Sequence, residues 1–131
     1  MKLALLLAAG VAAMAVTGGT AAAPRDPFLG TWWVIDTSDG SLEQATFGAG
    51  GSLFFRDDLA SNPTCGGVAA VAKDTGTVAG DTWTGTGTAT LRCAGNVGEV
   101  RDQFFQFTLN PDGTLSSTAT LPTEFWTRAR P

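Results

Sequence analysis

Asp57 and Asp58 stand side by side after Arg56, with Ser61, Asn62 and Cys65 close behind. Carboxylates with carbonyl and hydroxyl oxygens nearby are the raw material of a calcium loop. Two carboxyl groups held a fixed distance apart can also serve as acid and base on a glycosidic bond. The spacing matches no known calcium loop, and Arg56 offsets part of the charge. Asp57 and Asp58 are therefore a weak calcium candidate, and a solvated loop is the plainer expectation. Glu99 and Asp102 flank Arg101 and read as surface ion pairing. Little other reactive chemistry is present. The 131 residues include no histidine and no tyrosine, which removes the commonest general base and the commonest transition-metal ligand. Beyond Lys2 the sole lysine is Lys73, expected in the polar turn Lys73-Asp74-Thr75-Gly76. No catalytic residue, metal or cofactor is expected, and a carboxylate-based hydrolase is the least favoured reading.

The two cysteines, Cys65 and Cys93, fit a disulfide better than a metal site, since two thiolates without histidine make a poor zinc site. The bridge would close a loop of about 27 residues and stabilise the fold by roughly 3–4 kcal/mol. Oxidised cysteines suit an exported chain, and the N-terminus agrees. Met1-Lys2 is followed by an apolar run from Leu3 to Val16 and then by small residues up to Ala23. That pattern describes a secretory signal peptide over 1–22, with cleavage after Ala22. The apolar run is shorter than the ~18–20 residues a spanning helix needs, and no cysteine near the cleavage zone suggests a lipid anchor. The expected mature chain, 23–131, has one domain's length. The formal charge of −4 falls to about −5 without Lys2. An acidic surface argues against nucleic acid and anionic membranes as partners. The expectation is a secreted monomer, extracellular or periplasmic.

The elements that must position these groups are strands. No helical period runs through the mature part. Short runs of Thr, Val, Phe and Trp alternate with Gly, Asp, Asn and Pro every 8–12 residues or so, as in a barrel or sandwich. Strands are expected over Gly30–Asp36, Leu42–Phe47, Ser52–Arg56, Val68–Lys73, Gly76–Val78, Thr82–Cys93, Val100–Leu109, Thr114–Ala119 and Phe125–Arg128. Within Thr82–Cys93 threonine fills every even position through Thr90, so one face is a hydroxyl ladder and the other is apolar and small. Gly85 and Gly87 on the apolar face leave room for a bulky neighbour, for which Trp32 is the candidate. Arg101 and Gln103 share the parity of Phe105, Phe107 and Leu109, so a twist or bulge is expected in that strand. Asp39-Gly40 and Asn110-Pro111-Asp112-Gly113 supply turn chemistry. Asp57–Gly67 is the longest irregular stretch, and Leu121-Pro122-Thr123-Glu124 reads as a loop. The resulting fold class is all-β: a small antiparallel up-and-down barrel or strongly curved sheet of about eight strands with one disulfide. A β-sandwich is the alternative.

Gly30-Thr31-Trp32 opens the first strand, and Arg128 closes the last in Phe125-Trp126-Thr127-Arg128. This pairing resembles the lipocalins and, more distantly, the avidin-like barrels. The chain is similar to small exported bacterial lipocalin-like domains in its start, its Asp-Asp…Cys-Gly-Gly stretch and its Trp-Thr-Arg end. The resemblance implies that Trp32 plugs a barrel floor, with Gly30 beside it and Arg128 stacked over its ring.

Aromatic residues carry the functional expectation. Trp83, Phe55, Phe105 and Phe107 are expected inside, as core or as the wall of a ligand cavity. Trp33, Phe54 and Phe104 adjoin inward positions, so in regular strands they point outward and could form a binding patch. The function expected from the sequence is a binding module for a small apolar ligand or an exported partner, with a structural role at the cell envelope as the alternative.

Overall fold

A computed structural model describes residues 18–21, 25–60, 65, 67–85, 89–94, 99–101, 104–117 and 123–131, with backbone alone at 59–60, 89–91 and 99–101. Most of the signal-peptide stretch 1–22 lies outside the described residues, as do Ser61, Asn62, Gly87 and Gln103. Among the described residues ten strand segments follow in order: β1 Gly30–Ile35, β2 Leu42–Phe47, β3 Ser52–Ala60, β4 Val68–Ala79, β5 Thr82–Gly85, β6 Ala89–Cys93, β7 Glu99–Arg101, β8 Gln106–Leu109, β9 Leu115–Ser117 and β10 Glu124–Trp126. All pairings are antiparallel.

The segments make eight barrel strands, because β5 and β6 both pair with β4, while β8 pairs with β5 and β7 with β6 in one unbroken register. Along β4 the register moves by two residues between β6 and β5, so the inward-outward alternation is kept. The remaining order runs β1-β2-β3-β4 on one side and β8-β9-β10 on the other. The sheet then nearly closes on itself. Trp33 N donates to Thr127 O at 2.8 Å, and Thr127 N donates to Trp33 O at 2.9 Å, joining β1 to β10. Closure leaves few free strand edges, which explains why so short a chain adopts it.

Alternation sorts the side chains. Trp32, Val34, Ala45, Phe47, Leu53, Phe55, Ala70, Ala72, Trp83, Phe105, Phe107, Leu115 and Trp126 face inward and are buried. Their rings form a continuous column. Phe28 meets Phe47 at 5.6 Å, Phe47 meets Trp83 at 5.3 Å and Phe107 at 5.2 Å, Phe107 meets Trp126 at 5.6 Å, and Trp126 meets Phe55 at 6.0 Å. Tilted and edge-to-face contacts of this kind add to the area each ring buries.

The two barrel ends differ. Tight turns close one end, with left-handed glycines at Gly80 (φ 59°) and Gly113 (φ 84°). Phe28 and Trp32 fill this floor. The connections after β1, β3, β6 and β9 leave from the other end, where Cys65 is bonded to Cys93 with their Cα atoms 5.4 Å apart.

Three sequence expectations need correction. Lys73-Asp74-Thr75-Gly76 is no turn, since β4 runs straight through it and Asp74 faces inward. The space beside Gly85 is taken by the Asp74 carboxylate and the Phe105 carbonyl, not by Trp32. The Trp83 ring instead lies against Gly76, where any Cβ would meet it. Finally, β3 extends to Ala60, so Asp57 and Asp58 belong to a strand and not to a loop.

Candidate functional site

The strand reading of Asp57-Asp58 separates the two carboxylates. Successive strand residues point to opposite faces. Asp58 turns outward and accepts from Arg56 Nε at 2.8 Å in an exposed ion pair. Asp57 turns inward and is 9% exposed. They share no site, and a calcium loop built on the adjacent pair is ruled out by that geometry.

Asp57 has other acidic neighbours. It stands opposite Glu43 in the β2–β3 register, and Glu43 stands opposite Val34 on β1. One step further along the β1–β2 hairpin, Asp36 N donates to Ser41 O at 2.9 Å, which sets Asp36 beside Ser41. The β1–β10 pairing at Trp33 and Thr127, continued three residues, sets Asp36 opposite Glu124. Glu124 in turn pairs with Ser117 on β9. Asp36, Ser41, Glu43, Asp57 and Glu124 thus line one end of the interior, above the aromatic column.

Their geometry is tight. One carboxylate oxygen from each of Asp36, Glu43 and Glu124 lies within 4.8 Å of the others. Glu43 is 3% exposed and Glu124 is 5% exposed, while Asp36, just beyond the end of β1, is half-buried. Asp36 Oδ1 accepts from Ser38 N at 2.7 Å, which fixes that carboxylate in place. Burial, the charge of Glu124, a hydrogen bond with Glu124, and the charges of Asp57 and Asp36 together push the Glu43 carboxyl up to about 9. Every one of these effects opposes ionisation. Glu43 therefore holds a proton near neutral pH and shares it with Glu124. Glu43 Oε2 and Ser41 Oγ are nonetheless buried without a hydrogen-bond partner.

A further inward carboxylate, Asp74, stands apart. Burial raises Asp74, and its bond from Thr75 N pulls the other way. That bond, at 2.7 Å, engages Oδ1, while Oδ2 is buried without a partner against Gly85.

At the floor, Trp32 Nε1 donates to Phe28 O at 2.9 Å. The Arg128 guanidinium lies 3.8 Å from the Trp32 ring centre and donates to Leu29 O at 2.6 Å and Pro27 O at 2.9 Å. Gly30, at φ 106°, is where the guanidinium passes: a Cβ there would lie 2.6 Å from Arg128 Nη1. Arg128 remains exposed, so its stacking is worth the ~0.5–1 kcal/mol of a solvated cation–π pair. Its role is to tie the end of the chain across the barrel floor.

Trp83, Phe55, Phe105 and Phe107 are all buried and contact one another or their aromatic neighbours. They fill space as a packed column. Trp33, Phe54 and Phe104 do face outward, but on separate parts of the wall. Trp33, on β1, lies with Leu42, Gln44, Arg56, Asp58 and Arg130 around a cleft of about 180 Å³. Phe54, on β3, lines other clefts, and Phe104, 53% exposed, precedes β8. They form no single patch.

No family model matches the chain, and no curated protein or solved structure shows detectable similarity to it. The site is therefore read from its own chemistry.

The adjacent acids Asp57 and Asp58 drew attention in the sequence, yet Asp36, Glu43 and Glu124 matter more. A signal for them exists. Glu43 shares strand parity with Ala45 and Phe47, Asp36 with Trp32 and Val34, Asp57 with Leu53 and Phe55, and Glu124 with Trp126. Each is an acid on an apolar parity. Leu121-Pro122-Thr123-Glu124 concealed the last of them, because Glu124 opens β10 and does not belong to a loop.

Proposed function

We propose that the domain is a non-enzymatic binding module of the exported type, and that its ligand brings positive charge to the acidic end of the barrel. One observation carries this reading: Glu43 Oε2 is a buried carboxylate oxygen without a partner, among three further inward acids. A buried acceptor left unmatched costs about 1–3 kcal/mol, and a cation would satisfy it. The lipocalin-like start and end and the Cys65–Cys93 bridge support the exported, ligand-binding assignment. The packed aromatic column argues against an apolar ligand deep in the barrel.

Hydrolysis is disfavoured at this site. A glycosidase needs its two carboxyl groups about 5–9.5 Å apart with substrate between them. Here Glu43 and Glu124 hydrogen-bond directly and are 3% and 5% exposed, which leaves no room for a sugar or a peptide.

The test is thermal unfolding of the secreted chain against divalent metal ions, small organic amines and neutral apolar probes. Cationic probes should raise the melting temperature and apolar ones should not. A shift from apolar probes alone would overturn the reading. A second reading, docking of an exported partner, is favoured by Ile35 and Phe125, which lie side by side across the β1–β10 seam and are 40% and 60% exposed. Phe125→Ser should then abolish recovery of that partner, and unchanged recovery would rule out the seam.

A further inference from the structure

We propose that Asp36, Ser41, Glu43, Asp57 and Glu124 form a binding site for a single hard divalent cation, of calcium type, at the end of the barrel opposite the Trp32 floor. The proposal rests on the cationic-ligand reading above and names the ligand class.

The donor set is all oxygen: four carboxylates and a hydroxyl. Sulfur and imidazole, which select zinc and copper, take no part, and the Cys65 and Cys93 sulfurs are bonded to each other. Oxygen-only sets select calcium, magnesium and manganese. Among these, calcium accepts a flexible cage of protein oxygens, whereas magnesium demands near-ideal octahedral geometry and keeps most of its waters. The oxygens of Asp36, Glu43 and Glu124 lie within 4.8 Å of one another, inside the reach of one calcium ion at about 2.3–2.6 Å per ligand.

Acidic clusters are common without ions. Two further features point to a ligand here. Ser41 is 6% exposed, faces inward beside Asp36, and its Oγ has no hydrogen-bond partner. Glu43 is 3% exposed, and its Oε2 has none either. Inward polar atoms at adjacent register positions, from a neutral and an acidic residue, are left unmatched in the same place. A cation coordinated by both would match them together. Among the described residues, the charges acting on Glu43 are all carboxylates. Asp36, half-buried at the rim, is the group that would meet the ion first.

The scaffold suits the purpose. Three donors lie on the β1–β2 hairpin or its turn, and the other two on the strands that flank it. Binding would bridge β3, β2, β1 and β10, which includes the seam held by the Trp33–Thr127 pair. Calcium should therefore stabilise barrel closure as well as neutralise the cluster.

The experiment is calorimetric titration of calcium into the full secreted chain, disulfide intact, after chelator treatment. A parallel titration follows tryptophan-sensitised terbium luminescence, for which Trp126, inward on the same strand as Glu124, is the donor. The expected result is one ion per chain with a dissociation constant of about 0.1–1 mM, the range of extracellular calcium modules. The melting temperature should rise by several degrees at about 10 mM calcium. Glu43→Gln keeps the shape and replaces an acid of the cluster by a neutral amide, so it should fold, melt higher than the parent without calcium, and bind calcium at least tenfold more weakly. Ser41→Ala should bind several-fold more weakly, and Asp58→Asn, on the outer wall, should bind like the parent. Absence of both heat and luminescence would overturn the proposal, and so would equal binding by Glu43→Gln. If organic amines stabilise the parent while calcium does not, the calcium assignment fails and the cationic-ligand reading stands. If neither does, both fail.

Discussion

Replacing Glu43 with glutamine should make the calcium-free protein more stable near neutral pH, although it alters a buried group in the barrel interior. The carboxyl ionises near 4.5 in an unfolded chain and near 9 in the folded one. Between those values the folded state holds a proton that the unfolded state has released. Stability therefore falls as pH climbs through this window, by up to ~1.4 kcal/mol per unit. Below about 4.5 both states are protonated and the penalty vanishes. At about pH 7 the penalty spans some 2.5 units, or about 3 kcal/mol. Glutamine is neutral in both states and can donate to Glu124, so it escapes this cost. The expected gain at neutral pH is up to about 3 kcal/mol, or roughly 10–20 °C in melting temperature for a domain this small. It should shrink to near zero at about pH 4. Urea unfolding of parent and variant in chelator-containing buffer, at three or more pH values, measures the difference directly. A difference that does not change with pH, or a less stable variant at neutral pH, would refute the reasoning, because Glu43 would then be ionised and satisfied in the fold.

Three further predictions concern the scaffold. Arg128→Ala should destabilise by about 2 kcal/mol, through loss of the ring contact and two charge-assisted bonds to Pro27 and Leu29, with a changed Trp32 emission as the local readout. Gly76→Ala should be among the most damaging single changes, roughly 2–4 kcal/mol, because the new methyl meets both the Trp83 ring and the Thr84 carbonyl, and β4 has nowhere to move. Paired replacement of Cys65 and Cys93 by serine should lower stability by roughly 3–4 kcal/mol in chemical unfolding. The Trp32 environment at the far end should stay native-like, and its loss would show that the bridge supports the whole barrel and not one end of it.

Much of this molecule was legible in the chain. The two-residue period of Trp32 and Val34, of Ala45 and Phe47, and of Phe105 and Phe107 set their faces, because a strand offers only two. Turn chemistry at Asp39-Gly40 and Asn110–Gly113 marked hairpins, since a left-handed residue is cheapest as glycine. Cys65 and Cys93 could be paired because there were only two. Short connections between strands made an up-and-down sheet the natural arrangement.

Other features awaited the closed sheet. Lys73–Gly76 looked like a turn because its residues are polar, yet pairing with β3 and then β5 on either side of it keeps β4 extended. Asp57 and Asp58 are neighbours in the chain and strangers in space, since alternation sends one inward and one out. Asp36 and Glu124 are far apart in the chain and face each other because β10 returns to β1. Sequence alone decided which residues point inward, because that depends on local period. Which inward residues meet depends on register and closure, and those are set by contacts between strands distant in the chain. The acidic end of the barrel belongs to the second kind, so only the tertiary structure assembled it.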